Sequence, residues 1–187
     1  MKRIHSLVTA TALSLVCFHA SAQKMKTQAH GLCAASEEPV FSCTLKGPAR
    51  KMVSLCASTA SAQQGGRSFR YLYGRPSKIE LRYPASGNGG NAFTFTRLRF
   101  AGATGGYAHT FSNGDYKYIL YSVEGTGFKE SGLLVQRQGS LHASREMHCS
   151  ATTLTAVKND ELWSDAVSKW KVDADIEAHG SLPYANR

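Results

Sequence analysis

The chain has 187 residues, 42% hydrophobic and 19% charged, with 22 Lys+Arg against 13 Asp+Glu. That is one domain's worth of sequence. The formal charge of +9 suits a soluble protein near anionic polymers, but no dense Lys/Arg run marks a nucleic-acid groove.

The N-terminus reads as an export signal, residues 1–22. Lys2-Arg3 is a positive n-region, Ser6 to Phe18 a short apolar h-region, and Ala20-Ser21-Ala22 a cleavage signal. The h-region is too short for a membrane span, and no later stretch is apolar enough for one. Val16 before Cys17 argues against a lipoprotein, which needs a small residue there. The mature chain is expected to start at Gln23, outside the cytoplasm. Without Lys2 and Arg3 the count is 20 cations against 13 anions, or +7.

Cys33, Cys43, Cys56 and Cys149 remain after processing. An even number in an exported chain points to two disulfides. Metal binding by cysteine needs close-spaced pairs such as Cys-x-x-Cys, and the sequence has none. Four cysteines allow three connectivities.

Gln23 to Pro39 lacks periodicity and reads as an irregular arm. Val40 to Leu45 alternates, Lys46 to Arg50 is turn chemistry, and Lys51 to Ser58 returns as a strand. This hairpin brings Cys43 near Cys56, which leaves Cys33 to join Cys149. Thr59 to Gly66 is a loop. Ser68 to Tyr73 and Lys78 to Tyr83 alternate on either side of the Gly74-Arg75-Pro76-Ser77 turn. One wet and one buried face is the mark of an antiparallel sheet.

Ala92 to Phe100 carries Phe93 and Phe95 on one parity and Leu98 and Phe100 on the other. A bulge near Thr96-Arg97 would restore a single inward face. Gly102 to Tyr107 is a small-residue loop ending in an aromatic; the plain alternative is that its glycines only reverse the chain. Tyr107 to Phe111 and Asp115 to Val123 are strands around the Asn113-Gly114 turn. The second is apolar on both faces, which places it centrally in a sheet with cover on both sides. Leu133 to Gln136 and Leu141 to Met147 follow. About nine short strands predict an all-β antiparallel sandwich or barrel over residues 23–150.

Residues 151–187 form a C-terminal extension. Leu162, Trp163, Ala166, Val167 and Trp170 recur at helical spacing. They predict one amphipathic helix near 160–171, capped by Asn159 or Asp160, packing its tryptophans on the sheet. The chain after Ala174 is expected to fray.

Constellations for chemistry are thin. Five histidines remain after processing: His30, His109, His142, His148 and His179. His142 and His148 share parity around Glu146, as does Ser144, but the spacing matches no known metal site. There is no Gly-x-Ser-x-Gly elbow and no phosphate-binding glycine pattern. Between Glu80 and Glu146 the only carboxylates are Asp115, Glu124 and Glu130, too sparse for an obvious catalytic pair. Arginines interleave with aromatics at Phe69-Arg70-Tyr71 and Arg97-Leu98-Arg99-Phe100. These could stack on bases or sugars, though alternation with arginine on the wet face is the simpler account. No enzyme, cofactor or metal is expected.

An exported, disulfide-tied β protein with the run Thr104-Gly105-Gly106-Tyr107 resembles the periplasmic lysozyme inhibitors of Gram-negative bacteria, most nearly those aimed at invertebrate-type lysozymes. Their inhibitory loop carries Ser-Gly-x-Tyr; here Thr104 stands for the serine. The resemblance implies a non-enzymatic protein whose loop enters a lysozyme cleft and meets the catalytic carboxylates. It implies that Thr104 offers its hydroxyl, Gly105 and Gly106 permit close backbone approach, and Tyr107 fixes the loop. The other reading is a basic exported module for anionic cell-envelope polymers. A homodimer is left open.

Overall fold

The computed structural model describes residues 31–59, 66–87, 89 and 91–185. The expected signal segment, His30 and most of the Thr59 to Gly66 loop lie outside them.

Alternating apolar residues build the first sheet from β1 (Glu37–Thr44), β2 (Met52–Ser58), β3 (Phe69–Arg75) and β4 (Lys78–Tyr83). The second is a consecutive meander of β5 (Thr94–Arg99), β6 (Gly105–Asn113), β7 (Tyr116–Gly125), β8 (Phe128–Arg137) and β9 (Ala143–His148). A two-residue strand, β10 (Thr155–Ala156), pairs with the free side of β1, so each sheet has five antiparallel strands. The arrangement is sandwich-like. At one edge the sheets touch through the Leu45–Cys149 bridge, where the Lys46 N–H donates to the His148 carbonyl at 2.8 Å.

The inner faces share an aromatic-rich core. Tyr71 meets Phe111 at 4.6 Å between ring centroids, and Phe111 stacks on Tyr83 and Tyr118. Phe41, Leu55, Leu120 and Leu133 fill the space around them, each fully buried or nearly so. Each such side chain is worth ~1.5–3 kcal/mol of burial.

The central-strand expectation for β7 holds. β7 lies between β6 and β8, with Leu120 in the inner core and Ile119, Tyr121 and Val123 in a second core on the outer face. That second core also explains β5, where the expected bulge is absent: β5 pairs with β6 without a shift from Thr94↔Thr110 to Arg99↔Gly105. Phe93 and Phe95 join the inner core while Leu98 joins the outer one. Both parities are apolar because both faces are covered.

The cover is the chain beyond Lys171. Asp173 caps α2 (Ala174–His179), accepting at Oδ1 from the Asp175 and Ile176 N–H groups. Ile176 and Leu182 are buried against Ile119, Tyr121 and Leu134. From Ala174 to Tyr184 the chain is therefore packed, not frayed. Its few apolar residues do not advertise a helix, and what recruits them is the apolar outer face of β7.

The helix expected near 160–171 is also split. α1 (Asp160–Asp165) is capped by Asn159 as expected, then Ala166 leaves helical geometry at φ −130° and ψ −69°. A 3-10 turn, Val167–Lys169, follows. Leu162 and Val167 are both fully buried. Five residues along a straight α-helix point ~140° apart, so one core can take both only if the helix bends between them. Trp163 and Trp170 do pack on the sheets, against Phe95 and Phe69 respectively, each pair at 4.8 Å.

The disulfides are Cys33–Cys56 and Cys43–Cys149, not Cys43–Cys56 and Cys33–Cys149. Strand parity is the reason. Cys43 lies opposite Val53 and points with it into the core; Cys56 is three residues beyond Val53 and so faces outward. The arm carrying Cys33 crosses that outer face, where the Leu32 N–H donates to Ser54 Oγ at 2.9 Å. Cys43–Cys149 closes 106 residues and staples the edge where the sheets meet. In the chain-entropy account such a loop is worth about 4–5 kcal/mol.

Candidate functional site

The Thr104-Gly105-Gly106-Tyr107 run is mostly strand rather than loop. Gly105, Gly106 and Tyr107 are the first residues of β6, paired with Arg99, Leu98 and Arg97 on one side and Glu124, Val123 and Ser122 on the other. The free loop is shorter and earlier. Ala101, Gly102 and Ala103 are exposed, Thr104 is half-buried, and the Phe100 N–H donates to the Thr104 carbonyl at 3.1 Å to close the turn. Gly102 takes φ +70°, a conformation that suits glycine.

A second hairpin tip, Gly125-Thr126-Gly127, lies beside the first. A Cβ on Gly125 would fall 2.6 Å from Thr104 Oγ1 and 2.5 Å from the Phe128 ring. The Thr104 hydroxyl thus lies against Gly125 of the neighbouring hairpin rather than facing outward, while Phe128 stands 48% exposed beside them. Arg97 and Arg99 line β5 below the tip, exposed and without an ion pair among the described residues. Exposed Lys129 and Glu124 pair at 3.0 Å across β7 and β8.

The two motif glycines serve the fold. A Cβ on Gly106 would come within 2.0 Å of the Ser122 carbonyl oxygen, whereas Gly105 is less constrained, at 3.3 Å from the Leu98 carbonyl. Tyr107 turns inward, its ring near Phe95 and His109. Burial pushes its hydroxyl up to about 12, and Ser122 nearby offsets only part of this. Ser122 Oγ accepts from Ser131 at 2.9 Å, and the Tyr107 hydroxyl has no hydrogen-bond partner among the described residues. Tyr107 is therefore a packing residue behind the tip, not part of an exposed loop.

His109 is 1% exposed, held among Phe95, Tyr107 and Trp170, with neither ring nitrogen hydrogen-bonded among the described residues. Burial lowers its pKa to about 4, against a weaker opposing pull from the Thr94 backbone. It is neutral at physiological pH.

His142 precedes β9, is exposed, and is not part of the grouping around His148. Glu146 and His148 do lie together, joined by Glu130 from β8. That grouping depends on the β8–β9 register, which slips between Val135 and Gln136, and no local spacing signals it. The arginine–aromatic runs follow ordinary alternation. Phe69 and Tyr71 are buried, and Arg70 pairs with Glu37 at 2.6 Å on the other face.

Among the described residues no helix is long and apolar enough to cross a membrane. No family model, curated protein or solved structure matches this chain.

Proposed function

We propose that this chain is an exported, non-enzymatic inhibitor-like protein that inserts the β5–β6 tip, Ala101 to Thr104, into the active-site cleft of a lysozyme. The observation carrying this reading is the pair of adjacent tips. An exposed turn of small residues, closed by its own hydrogen bond and lying against the next hairpin, would lose little entropy on entering a cleft. Arg97 and Arg99 would bring positive charge toward the carboxylates of such a cleft. The lysozyme itself comes from the motif resemblance, with the contact moved from Thr104, Gly105 and Gly106 to the exposed turn that ends at Thr104. The signal-like residues 1–22 and the two disulfides favour export to an oxidising compartment such as the periplasm.

Residual activity of one lysozyme from each class, titrated with the mature protein, tests the proposal. Saturable loss of activity in at least one class is expected; full activity in all of them at excess protein overturns it.

One observation favours a second reading, a module for anionic envelope polymers. Lys78 and Arg82 are exposed on edge strand β4, and Arg97 and Arg99 on edge strand β5. Such edge cations also deter strand pairing with other chains. Salt-sensitive retention on peptidoglycan or lipopolysaccharide, with every lysozyme left active, is the outcome that selects this reading.

A further inference from the structure

The outer face of the second sheet carries a cluster that the tip does not use. Tyr121 on β7 lies opposite Gly132 on β8, which lies opposite His148 on β9. Two residues from these partners, Glu130 and Glu146 share their face. Glu130 Oε1 is 3.5 Å from His148 Nδ1, and Glu146 Oε1 is 3.5 Å from His148 Nε2. One donor atom from each of the three residues lies within 4.8 Å of the other two.

The cluster has a floor. Tyr121 is fully buried, and its hydroxyl donates to Glu130 Oε1 at 2.8 Å while standing 3.4 Å from His148 Nδ1. A Cβ on Gly132 would be 3.0 Å from that hydroxyl and 2.4 Å from the Met147 carbonyl oxygen, so only glycine leaves the ring its place. Tyr184 meets the Tyr121 ring edge-on at 6.0 Å. The Glu146 side chain is only 14% exposed. Although the chain has 22 Lys+Arg to 13 Asp+Glu, neither Glu130 nor Glu146 forms an ion pair with a Lys or Arg among the described residues.

We propose that Glu130, Glu146 and His148 bind one divalent transition-metal ion of the zinc class, with Tyr121 orienting Glu130 from beneath. An imidazole nitrogen with two carboxylate oxygens is a donor set suited to zinc, at bonds of ~2.0–2.2 Å. Tetrahedral ligands at that range stand roughly 3.3 Å apart. Here the two glutamates approach different ring nitrogens and one donor from each residue lies within 4.8 Å of the others, so binding draws the three side chains together around one nitrogen. Calcium and magnesium prefer more oxygen ligands than this cluster offers. Three protein donors leave a fourth position for water or for a group from a partner. The hydrogen bond from Tyr121 is the outer support that metal-bound carboxylates commonly have.

The test is calorimetric titration of the full mature chain, stripped with chelator, with zinc chloride at pH 7.5. His148 ring signals are followed by NMR in the same titration. The expected result is one ion per chain, a shift of the His148 signals, and no saturable heat from calcium or magnesium chloride. Glu146→Gln and His148→Gln should each weaken binding at least ~10-fold, and Glu124→Gln and His142→Gln should not. Parent protein that binds no zinc, or binds it without moving the His148 signals, overturns the proposal whatever the variants do. So does equal affinity in His148→Gln, which would place the ion elsewhere. None of these outcomes depends on inhibition of a lysozyme.

Discussion

Thr110 Oγ1 donates a 2.6 Å hydrogen bond to Asp173 Oδ2, and this contact pins the C-terminal segment to the outer face of the second sheet. Thr94 bonds to Thr110 at 2.7 Å, Lys117 donates to Asp173 at 3.0 Å, and the Asp173 N–H donates to Thr96 at 2.8 Å. Burial alone would raise the Asp173 pKa, but the bonds from Thr110, the Ile176 N–H and Lys117, with the Lys117 charge, together bring it below the ordinary value. Asp173→Ala removes the helix cap and leaves Thr110 without its buried acceptor. A loss of about 2–3 kcal/mol in denaturant unfolding is expected. A loss under ~0.5 kcal/mol would mean that the segment is not held at this point.

His109 makes the fold acid-sensitive. Its folded pKa of about 4 is below the ordinary 6.5, so in that interval the unfolded chain binds a proton that the fold refuses. Stability falls as pH drops from 6.5 to about 4, by on the order of 3 kcal/mol from this group, and this contribution levels off below. Denaturation at pH 7.5 and pH 5 should show the decline in the parent and a flatter response in His109→Leu. Equal slopes would remove His109 from the account.

Gly106 and Gly102 should respond oppositely in mechanism. Gly106→Ala drives a methyl into the Ser122 carbonyl and should cost at least ~2 kcal/mol. Gly102→Ala meets open space and carries only the strain of φ +70°, about 1 kcal/mol. Melting curves of the two variants separate a glycine needed by the sheet from one needed by the turn.

Ile119→Asp places a carboxylate in the outer core among Leu134, Ile176 and other buried side chains. The expected cost is ~3 kcal/mol or more. A variant melting like the parent would mean that the C-terminal cover is absent in solution.

Period-two alternation made most of the sheet readable, and β7 could be placed centrally because Leu120 and Ile119 are apolar on opposite faces. The same alternation held the answer to the disulfides: Val53, Leu55 and Ala57 share one face of β2, so Cys56 belongs to the other. Proximity along the hairpin concealed it. The two-sided β5 looked like a bulged one-sided strand because its outer cover lies some 75 residues later, in the segment carrying Ile176 and Leu182. Gly106 and Tyr107 of the Thr-Gly-Gly-Tyr run take their roles from Ser122 and Phe95, which no local pattern joins to them. Glu130 and His148 meet only through the β8–β9 register.

The central claim, that the Ala101 to Thr104 tip enters a lysozyme cleft, is tested most directly by Ala103→Trp. The residue is exposed, and a bulky ring there blocks insertion without touching either core. Inhibition constants of parent and variant are measured against the lysozyme that the parent inhibits, with melting temperatures alongside. The account predicts inhibition weakened at least ~10-fold, about 1.4 kcal/mol, at an unchanged melting temperature. A variant that inhibits as well as the parent would contradict it.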